Sequence, residues 1–217
     1  MTDRNVLLHA IETAYTFAKQ NIDLSGCYYG EPFRKGPFVD KPCSYYFFLA
    51  GLVAQLRCSR ILEIGTHFGG SIFSMARGVG YSGLVQTADV ITVDVKESNS
   101  EAFRTNELVI RILGDCLDDD VVQHVTQSFS GPVDLMFIDA VHNYEHTNRC
   151  LQRYSPLVSP RLVILDDIRL NPSMESLWKY LVDTCGDRAI DITDYSHREK
   201  NVGFGLLICD SLFRAPQ

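Results

Sequence analysis

The 217-residue sequence lacks the features of membrane proteins, exported proteins and nucleic-acid-binding proteins. No stretch approaches the ~20 consecutive apolar residues of a membrane span, and charged residues interrupt the N-terminal segment where a signal peptide would be apolar. The formal net charge is −7, so the basic surface that neutralises phosphates along a nucleic acid is not expected. These absences predict a cytoplasmic protein that binds small molecules, without nucleic-acid or membrane partners.

Paired cysteines are also missing. The seven cysteines are odd in number, spread along the chain and never arranged as C-x-x-C. This pattern argues against a disulfide framework and against a zinc site. It is typical of a protein in a reducing compartment.

What the sequence does contain, from about residue 60 onward, is an alternation of short apolar segments with segments of helical period. The apolar segments are rich in Val, Ile and Leu and nearly continuous, as in parallel strands covered by helices on both faces. The predicted strands are residues 60–65, 89–95, 109–115, 133–140 and 162–168. The predicted helices between them are residues 71–79, 99–108, 118–129 and 143–154.

The end of the chain departs from this alternation. After a helix that begins near Asn171 and Pro172, two strand-like segments, 189–195 and 202–209, are separated by only six residues, "SHREKN". A parallel crossover needs a dozen or more residues, so these strands are predicted to pair antiparallel. The predicted fold is α/β, a doubly wound, mainly parallel seven-stranded sheet with a reversed last strand. The charged turn in the hairpin, including Arg198, is expected to be solvated.

Residues 1–59 form a separate segment, interpreted as a helical cap and lid on a core at 60–217. The first helix has an apolar face that could supply a dimer surface. A long loop rich in Gly, Pro and aromatic residues follows it. The loop aromatics, Tyr28, Tyr29, Phe33 and Phe38, either form a lid over a ligand or pack the helix pair onto the sheet.

The glycines after the first predicted strand indicate the ligand. They read G-x-x-x-G-G at Gly65, Gly69 and Gly70, whereas a dinucleotide fingerprint reads G-x-G-x-x-G. Open α/β sheets bind ligands at the carboxyl ends of their strands, where such a turn lets a ligand approach the backbone. Glu63 would repel a phosphate but suit a cation, and Asp94 is placed to accept ribose hydroxyls. An adenosine that carries an amino acid and a sulfonium centre meets both demands.

Four ordered motifs resemble those of the class I S-adenosylmethionine-dependent methyltransferases. They are E-I-G-x-x-x-G at 63–69, Asp94 after the second strand, G-D at 114–115 and F-I-D at 137–139. The family's sheet also ends in a reversed strand. The resemblance implies that Gly65, Thr66, Gly69 and Ser71 hold the methionine part, Asp94 the ribose, and Asp115 with Cys116 the adenine. Asp115 could instead cap the next helix.

Three carboxylates end neighbouring strands. Asp139 follows the fourth predicted strand, Asp166 and Asp167 end the fifth, and the two strands should lie about 4.8 Å apart. Such a cluster either raises a pKa or binds a cation, and an all-oxygen set suits Mg²⁺. A metal there would orient a hydroxyl and lower its pKa.

His142, three residues after Asp139, is the candidate general base, because an imidazole can accept a hydroxyl proton at neutral pH. D-x-x-H followed by D-D is similar to the metal-dependent O-methyltransferases of macrolide sugars and to the related cephalosporin-tailoring enzymes. In that group the acids bind Mg²⁺ and the histidine acts as base. This sequence departs from the group at Asp166, where Glu is often found. The alternative is that the acids only cap turns and that His142 is solvated.

The resulting hypothesis is a Mg²⁺-assisted O-methyltransferase that acts on a small hydroxylated metabolite or natural product. A metal-independent N-methyltransferase, or another enzyme that uses S-adenosylmethionine, is the second hypothesis. The third is a nicotinamide-dependent oxidoreductase or a nucleotide sensor. The missing G-x-G-x-x-G weakens the oxidoreductase hypothesis, and the clustered acids weaken the sensor hypothesis.

Overall fold

The computed structural model describes residues 3–28, 41–98 and 100–209. The helices are α1 (Asp3–Asn21), α2 (Ser44–Leu56), α3 (Gly70–Tyr81), α4 (Ser100–Thr105), α5 (Asp119–Gln127), α6 (Tyr144–Val158), α7 (Pro172–Cys185) and α8 (Thr193–Ser196). The strands are β1 (Arg60–Ile64), β2 (Asp89–Asp94), β3 (Val109–Leu113), β4 (Leu135–Ile138), β5 (Leu162–Asp166), β6 (Ala189–Asp191) and β7 (Phe204–Ile208). None of the helices in these ranges is long and apolar enough to cross a membrane.

The seven strands form one sheet in the order β3-β2-β1-β4-β5-β7-β6. β1 to β5 pair in parallel, and β7 runs antiparallel to both of its neighbours. The predicted fold class is confirmed, including the reversed last strand. The strand order changes direction between β1 and β4, and at such a point the carboxyl ends of strands open a crevice for ligands.

The sheet is buried on both faces because its strands are nearly continuous in apolar residues. On one face Ile61, Phe137 and Ile164 pack in a core that also contains the buried sides of α1, α2 and α3. On the other face Leu62 and Met136 pack with α5, α6 and α7. The carboxyl ends of β1, β2, β4 and β5 therefore open at the same edge of a rigid layer.

The N-terminal helices pack against each other. Gly51 of α2 meets α1 so closely that an added Cβ would lie 2.0 Å from the carbonyl oxygen of Ala14. The apolar face of α1 predicted from the sequence is thus covered by α2 of the same chain, with Leu7, Ile11 and Ala14 buried. This face does not supply the free dimer surface that the sequence suggested.

One predicted strand is much shorter than expected. Of the segment 189–195 only Ala189–Asp191 is extended, and residues 193–196 form the short helix α8. The carboxylate of Asp191 accepts hydrogen bonds from the backbone N–H and the hydroxyl of Thr193 at 3.1 and 2.6 Å. This local turn competes with the sheet ladder and ends the strand.

A buried hydrogen-bond network supports the turn after β1. Glu63 is fully buried, and its carboxylate accepts the hydroxyls of Ser71 at 2.5 Å and of Thr92 at 2.6 Å. The hydroxyls of Thr92 and Thr66 lie 2.5 Å apart. Burial raises the pKa of Glu63 to about 8, against an ordinary value of 4.5. The carboxyl group therefore keeps its proton at neutral pH, and its O–H then donates to one of the two hydroxyls, which makes the network uncharged.

This protonation predicts a pH-dependent effect of Glu63→Gln. Between pH 4.5 and 8 the folded state keeps a proton that the unfolded chain has released. Wild-type stability should therefore fall relative to the variant by about 1.4 kcal/mol per pH unit over this range. Urea unfolding from pH 5 to 9 measures the difference, and Glu12→Gln at an exposed site of α1 is the control. Parallel stability curves for wild type and Glu63→Gln would contradict the assignment.

Candidate functional site

The glycine turn between β1 and α3 lies against the protein itself. Gly65 has φ +95°, and an added Cβ would lie 1.9 Å from the carbonyl oxygen of Asp139. Gly69 has φ +85° and caps α3, and its Cβ would collide with the rings of Phe73 and Phe103 at 2.7 and 2.8 Å. The sequence suggested that these glycines make room for a ligand. In the structure both positions require glycine because an added Cβ would collide with other parts of the same chain.

The side chains predicted to hold the methionine part of a cofactor lie beneath this turn. Glu63, Ser71 and Thr66 are all buried and belong to the hydrogen-bond network under the turn. Buried polar groups need such partners, and these groups find them in one another. In the structure the side chains of Glu63 and Ser71 hold the turn, and their contact with a ligand stays a prediction.

Asp94, at the end of β2, is half-buried and holds the same turn from outside. Its Oδ2 accepts the backbone N–H groups of Thr66 at 2.9 Å and His67 at 2.8 Å, while Oδ1 accepts that of Lys96 at 2.9 Å. A carboxylate has about four acceptor positions, so capacity for a further donor is left. The ribose contact of Asp94 stays a prediction.

Asp115 and Cys116 form the turn after β3. Asp115 is exposed, and its Oδ1 accepts the N–H of Leu117 at 2.8 Å. The N-cap of α5 is Asp118, so Asp115 does not cap that helix. Cys116 is buried against α6, and its carbonyl oxygen accepts the hydroxyl of Tyr154 at 2.8 Å. Its side chain therefore faces the core, whereas Asp115 is available to a ligand.

Arg198 forms ion pairs with two carboxylates of the acidic cluster. Its Nε and Nη2 donate to both oxygens of Asp166 at 2.9 and 3.0 Å, and Nη2 also reaches Asp167 at 2.9 Å. The guanidinium packs 4.6 Å from the ring centre of Tyr45 on α2. The Arg198 side chain is only 14% exposed, so the expectation of a solvated charge is wrong for this residue.

The three carboxylates do not assemble the predicted magnesium site. Within the described ranges, Asp139, Asp166 and Asp167 are not a group whose ligand atoms all lie within 4.8 Å of one another. Asp166 is 2% exposed, and the fork of Arg198 engages both of its oxygens. The residues as arranged do not fit Mg²⁺, because a guanidinium already provides the positive charge that two adjacent carboxylates require.

Arg198 was missed because its partners are set by strand pairing. The antiparallel register places Phe204 opposite Asp166, so the residues before β7 lie beside the end of β5. A reversed last strand was predicted, and that reversal is the signal that could have identified Arg198 as a neighbour of Asp166.

His142 lies between two of the carboxylates. Its Nε2 is 3.7 Å from Oδ1 of Asp139 and 3.5 Å from Oδ2 of Asp167. The side chain of Asn171 donates to the carbonyl oxygen of His142 at 2.9 Å and fixes the backbone there. The His142 side chain is 28% exposed and thus reachable by a small molecule.

The charges of this site favour a neutral imidazole. Burial lowers the pKa of His142, the charge of Arg198 acts in the same direction, and Asp167 opposes them. Burial and the charges of neighbouring carboxylates, Asp166 first, raise the pKa of Asp139 well above its usual value. An imidazole whose pKa lies below 6.5 is unprotonated at pH 7 and can accept a proton.

Comparisons with known proteins agree with this architecture. The family described as "Methyltransferase domain" matches residues 62–168. An uncharacterized protein, y4gI of Sinorhizobium fredii (strain NBRC 101917 / NGR234), is 25% identical over 202 residues, which is 86% of this chain. The chain spans only 20% of that protein's length.

Two solved structures have a similar fold. The O-methyltransferase TomG from Streptomyces achromogenes, which is involved in tomaymycin synthesis and was solved with S-adenosylmethionine, is 19% identical with a TM-score of 0.62. The similarity covers 91% of this chain and 96% of TomG. MycE, a methyltransferase of mycinamycin biosynthesis solved with Mg and S-adenosylhomocysteine, is 17% identical with a TM-score of 0.56, covering 90% of this chain and 56% of MycE.

The glycine turn and Asp94 lie in the segment that matches a methyltransferase family, and the reversed last strand belongs to a sheet whose fold is shared with solved methyltransferases. Residues 62–168 of the chain thus match the methyltransferase-domain family, and the chain has the fold of solved S-adenosylmethionine-dependent methyltransferases.

Proposed function

We propose that the chain transfers a methyl group from S-adenosylmethionine to a hydroxyl of a small metabolite or natural product. The observation that carries this proposal is the position of His142. Its Nε2 is held between Asp139 and Asp167 at the carboxyl ends of β4 and β5, and Asp139 abuts Gly65 in the glycine turn. TomG, an O-methyltransferase, has the same fold.

Asp94 supports S-adenosylmethionine over a dinucleotide as the cofactor. A pyrophosphate binds at the backbone N–H groups of a glycine turn. In this chain Asp94 accepts two of those N–H groups, from Thr66 and His67, so a negative charge already occupies the position. The carboxylates of Asp94 and Asp115 would bind the neutral ribose and adenine, while the turn would face the methionine part. When bound, the cofactor supplies an electrophilic methyl group on a sulfonium.

His142 would then act as the general base. Its Nε2 takes the proton of the acceptor hydroxyl as the new oxygen–methyl bond forms. Asp167, 3.5 Å from that nitrogen, stabilises the imidazolium, and Asp139 at 3.7 Å helps to orient the ring. A nitrogen acceptor that is already unprotonated would not need this base, which makes N-methylation the less favoured alternative.

Arg198, and not a metal ion, supplies the positive charge beside the acidic cluster. It neutralises Asp166 and Asp167 from within the chain. Mg²⁺ assistance, which the similarity to MycE favours, is the second candidate. It would require Arg198 to leave both carboxylates.

His142→Ala tests the base. Removing a positioned general base lowers kcat by about 10² to 10⁴-fold. The assay measures methyl transfer from radiolabelled S-adenosylmethionine to a panel of hydroxylated and amine acceptors. Cofactor affinity, measured by calorimetry, should change less than about twofold, because ground-state binding does not need the base. His124→Ala on the exposed side of α5 is the control, and undiminished turnover in His142→Ala would refute the role.

Asp94→Asn tests the cofactor site. Loss of the charged acceptor should weaken S-adenosylmethionine binding about tenfold, the equivalent of about 1.4 kcal/mol for one charge-assisted hydrogen bond. Asp89→Asn, at the other end of β2, is the matched control and should bind the cofactor like the wild type. Calorimetric titration of both folded variants measures the effect. Equal affinity in the two variants would remove Asp94 from the cofactor site.

A further inference from the structure

Two thiols and an imidazole meet on the side of the sheet covered by α5, α6 and α7. The Sγ of Cys116 lies 3.7 Å from the Sγ of Cys150 and 3.7 Å from Nε2 of His146. The Sγ of Cys150 is 3.7 Å from Nδ1 of the same ring. Within the described ranges this is the only group of three or more Cys, His, Asp or Glu residues whose ligand atoms lie within 4.8 Å of one another.

The fold fixes this cluster from two directions. His146 and Cys150 are one turn apart on α6, and the N-cap residue Asn143 accepts the N–H of His146 at 2.8 Å. The turn that carries Cys116 is tied to α6 by the hydrogen bond from Tyr154 to the Cys116 carbonyl oxygen. Both thiols are buried, whereas His146 is half-buried and gives access to solvent. The two sulfur atoms are therefore shielded from solvent, and the imidazole of His146 is the part of the cluster that solvent reaches.

We propose that Cys116, His146 and Cys150 bind a zinc ion. Zinc in proteins is four-coordinate with Zn–S distances near 2.3 Å, and two tetrahedral thiolates then lie about 3.8 Å apart. The observed Sγ–Sγ distance of 3.7 Å matches this spacing. Two thiolates and one nitrogen of the imidazole leave a fourth position for water, and thiolates select zinc over magnesium.

Proton release accompanies this binding. Each thiol loses its proton as its Zn–S bond forms, so two protons leave when one Zn²⁺ is bound, without any redox change.

The sequence argued against zinc because no two cysteines form a C-x-x-C pair. The proposed site does not need such a pair, because H-x-x-x-C on α6 contributes two ligands and the turn after β3 contributes the third. A ligand 30 residues before His146 in the chain becomes its neighbour only through packing of the turn on α6. This proposal does not depend on the proposed methyl transfer.

Zinc titration of the full chain tests the site. Reduced, chelator-treated protein is titrated with Zn²⁺ against a chromophoric competitor in weak buffer. The expected result is one ion bound per chain, with up to two protons released. Cd²⁺ should give the ultraviolet charge-transfer absorption of a thiolate complex. Excess Mg²⁺ should not displace either ion.

Matched variants identify the ligands. The double variant Cys116→Ser with Cys150→Ser should abolish binding, and His146→Ala should weaken it at least tenfold. The double variant Cys185→Ser with Cys209→Ser, which removes two thiols elsewhere, and His124→Ala should bind like the wild type. In the wild type the intensity of the Cd²⁺ charge-transfer absorption should correspond to two thiolate ligands for each bound ion, which needs no variant. That readout holds even where a serine variant fails to fold.

The absence of stoichiometric binding in reduced wild type would overturn the proposal. So would zinc binding of unchanged affinity in a folded Cys116→Ser, Cys150→Ser variant. Binding of Cd²⁺ without thiolate charge-transfer absorption would also overturn it.

Discussion

The pairing of Arg198 with Asp166 and Asp167 is the interaction on which the candidate site depends. Two adjacent carboxylates at the end of a buried strand cannot both be ionised without a nearby cation. Arg198 supplies it in a two-pronged geometry, and its guanidinium also packs on Tyr45. Removing one partner of such a buried pair typically costs about 3–5 kcal/mol, because the other charge is left unpaired. The loop before β7, the end of β5 and α2 are held together by this contact.

Burial sets the charge state of the rest of the site, and Arg198 modifies it. Arg198 lowers the pKa of His142 and opposes the rise in the pKa of Asp139 that burial produces. Beneath the glycine turn, the protonated Glu63 avoids adding another buried charge. The neutral imidazole of His142 thus lies beside Asp167, whose charge is paired with Arg198, and beside Asp139, whose raised pKa favours the protonated form. Such an arrangement suits the removal of a hydroxyl proton without a metal.

Much of the fold could be predicted from the sequence because its signals are local. Continuous apolar strands such as 162–168 identify a doubly covered parallel sheet. The antiparallel pair was predicted from a six-residue gap, and the pairing is correct although residues 192–203 separate the two strands. The strand ends were predicted slightly too long, as at β4, where residues 139 and 140 already leave the sheet. These errors in the strand ends are small because a strand buried on both faces is a nearly continuous apolar segment, which is easily located in the sequence.

The side-chain partners within the site could not be predicted, because they arise from contacts between distant parts of the chain. Glu63 was expected to face a ligand, but α3 folds back and brings Ser71 onto its carboxylate. Arg198 was expected to be solvated, but the pairing of β7 with β5 places it on Asp166. Cys116 was assigned to an adenine contact, and packing of α6 placed its thiol beside Cys150 instead. In each case register and packing determine the partner, and neither can be read from residue spacing.

The most direct test of this account is a calorimetric titration of Mg²⁺ into the wild-type protein and Arg198→Met, each saturated with S-adenosylhomocysteine. If Arg198 takes the place of a metal, the wild type shows no saturable Mg²⁺ binding up to millimolar concentrations, and any Mg²⁺ binding is confined to the variant. Saturable one-to-one Mg²⁺ binding by the wild type, lost in Asp166→Asn, would contradict the account and establish a metal at the acidic cluster.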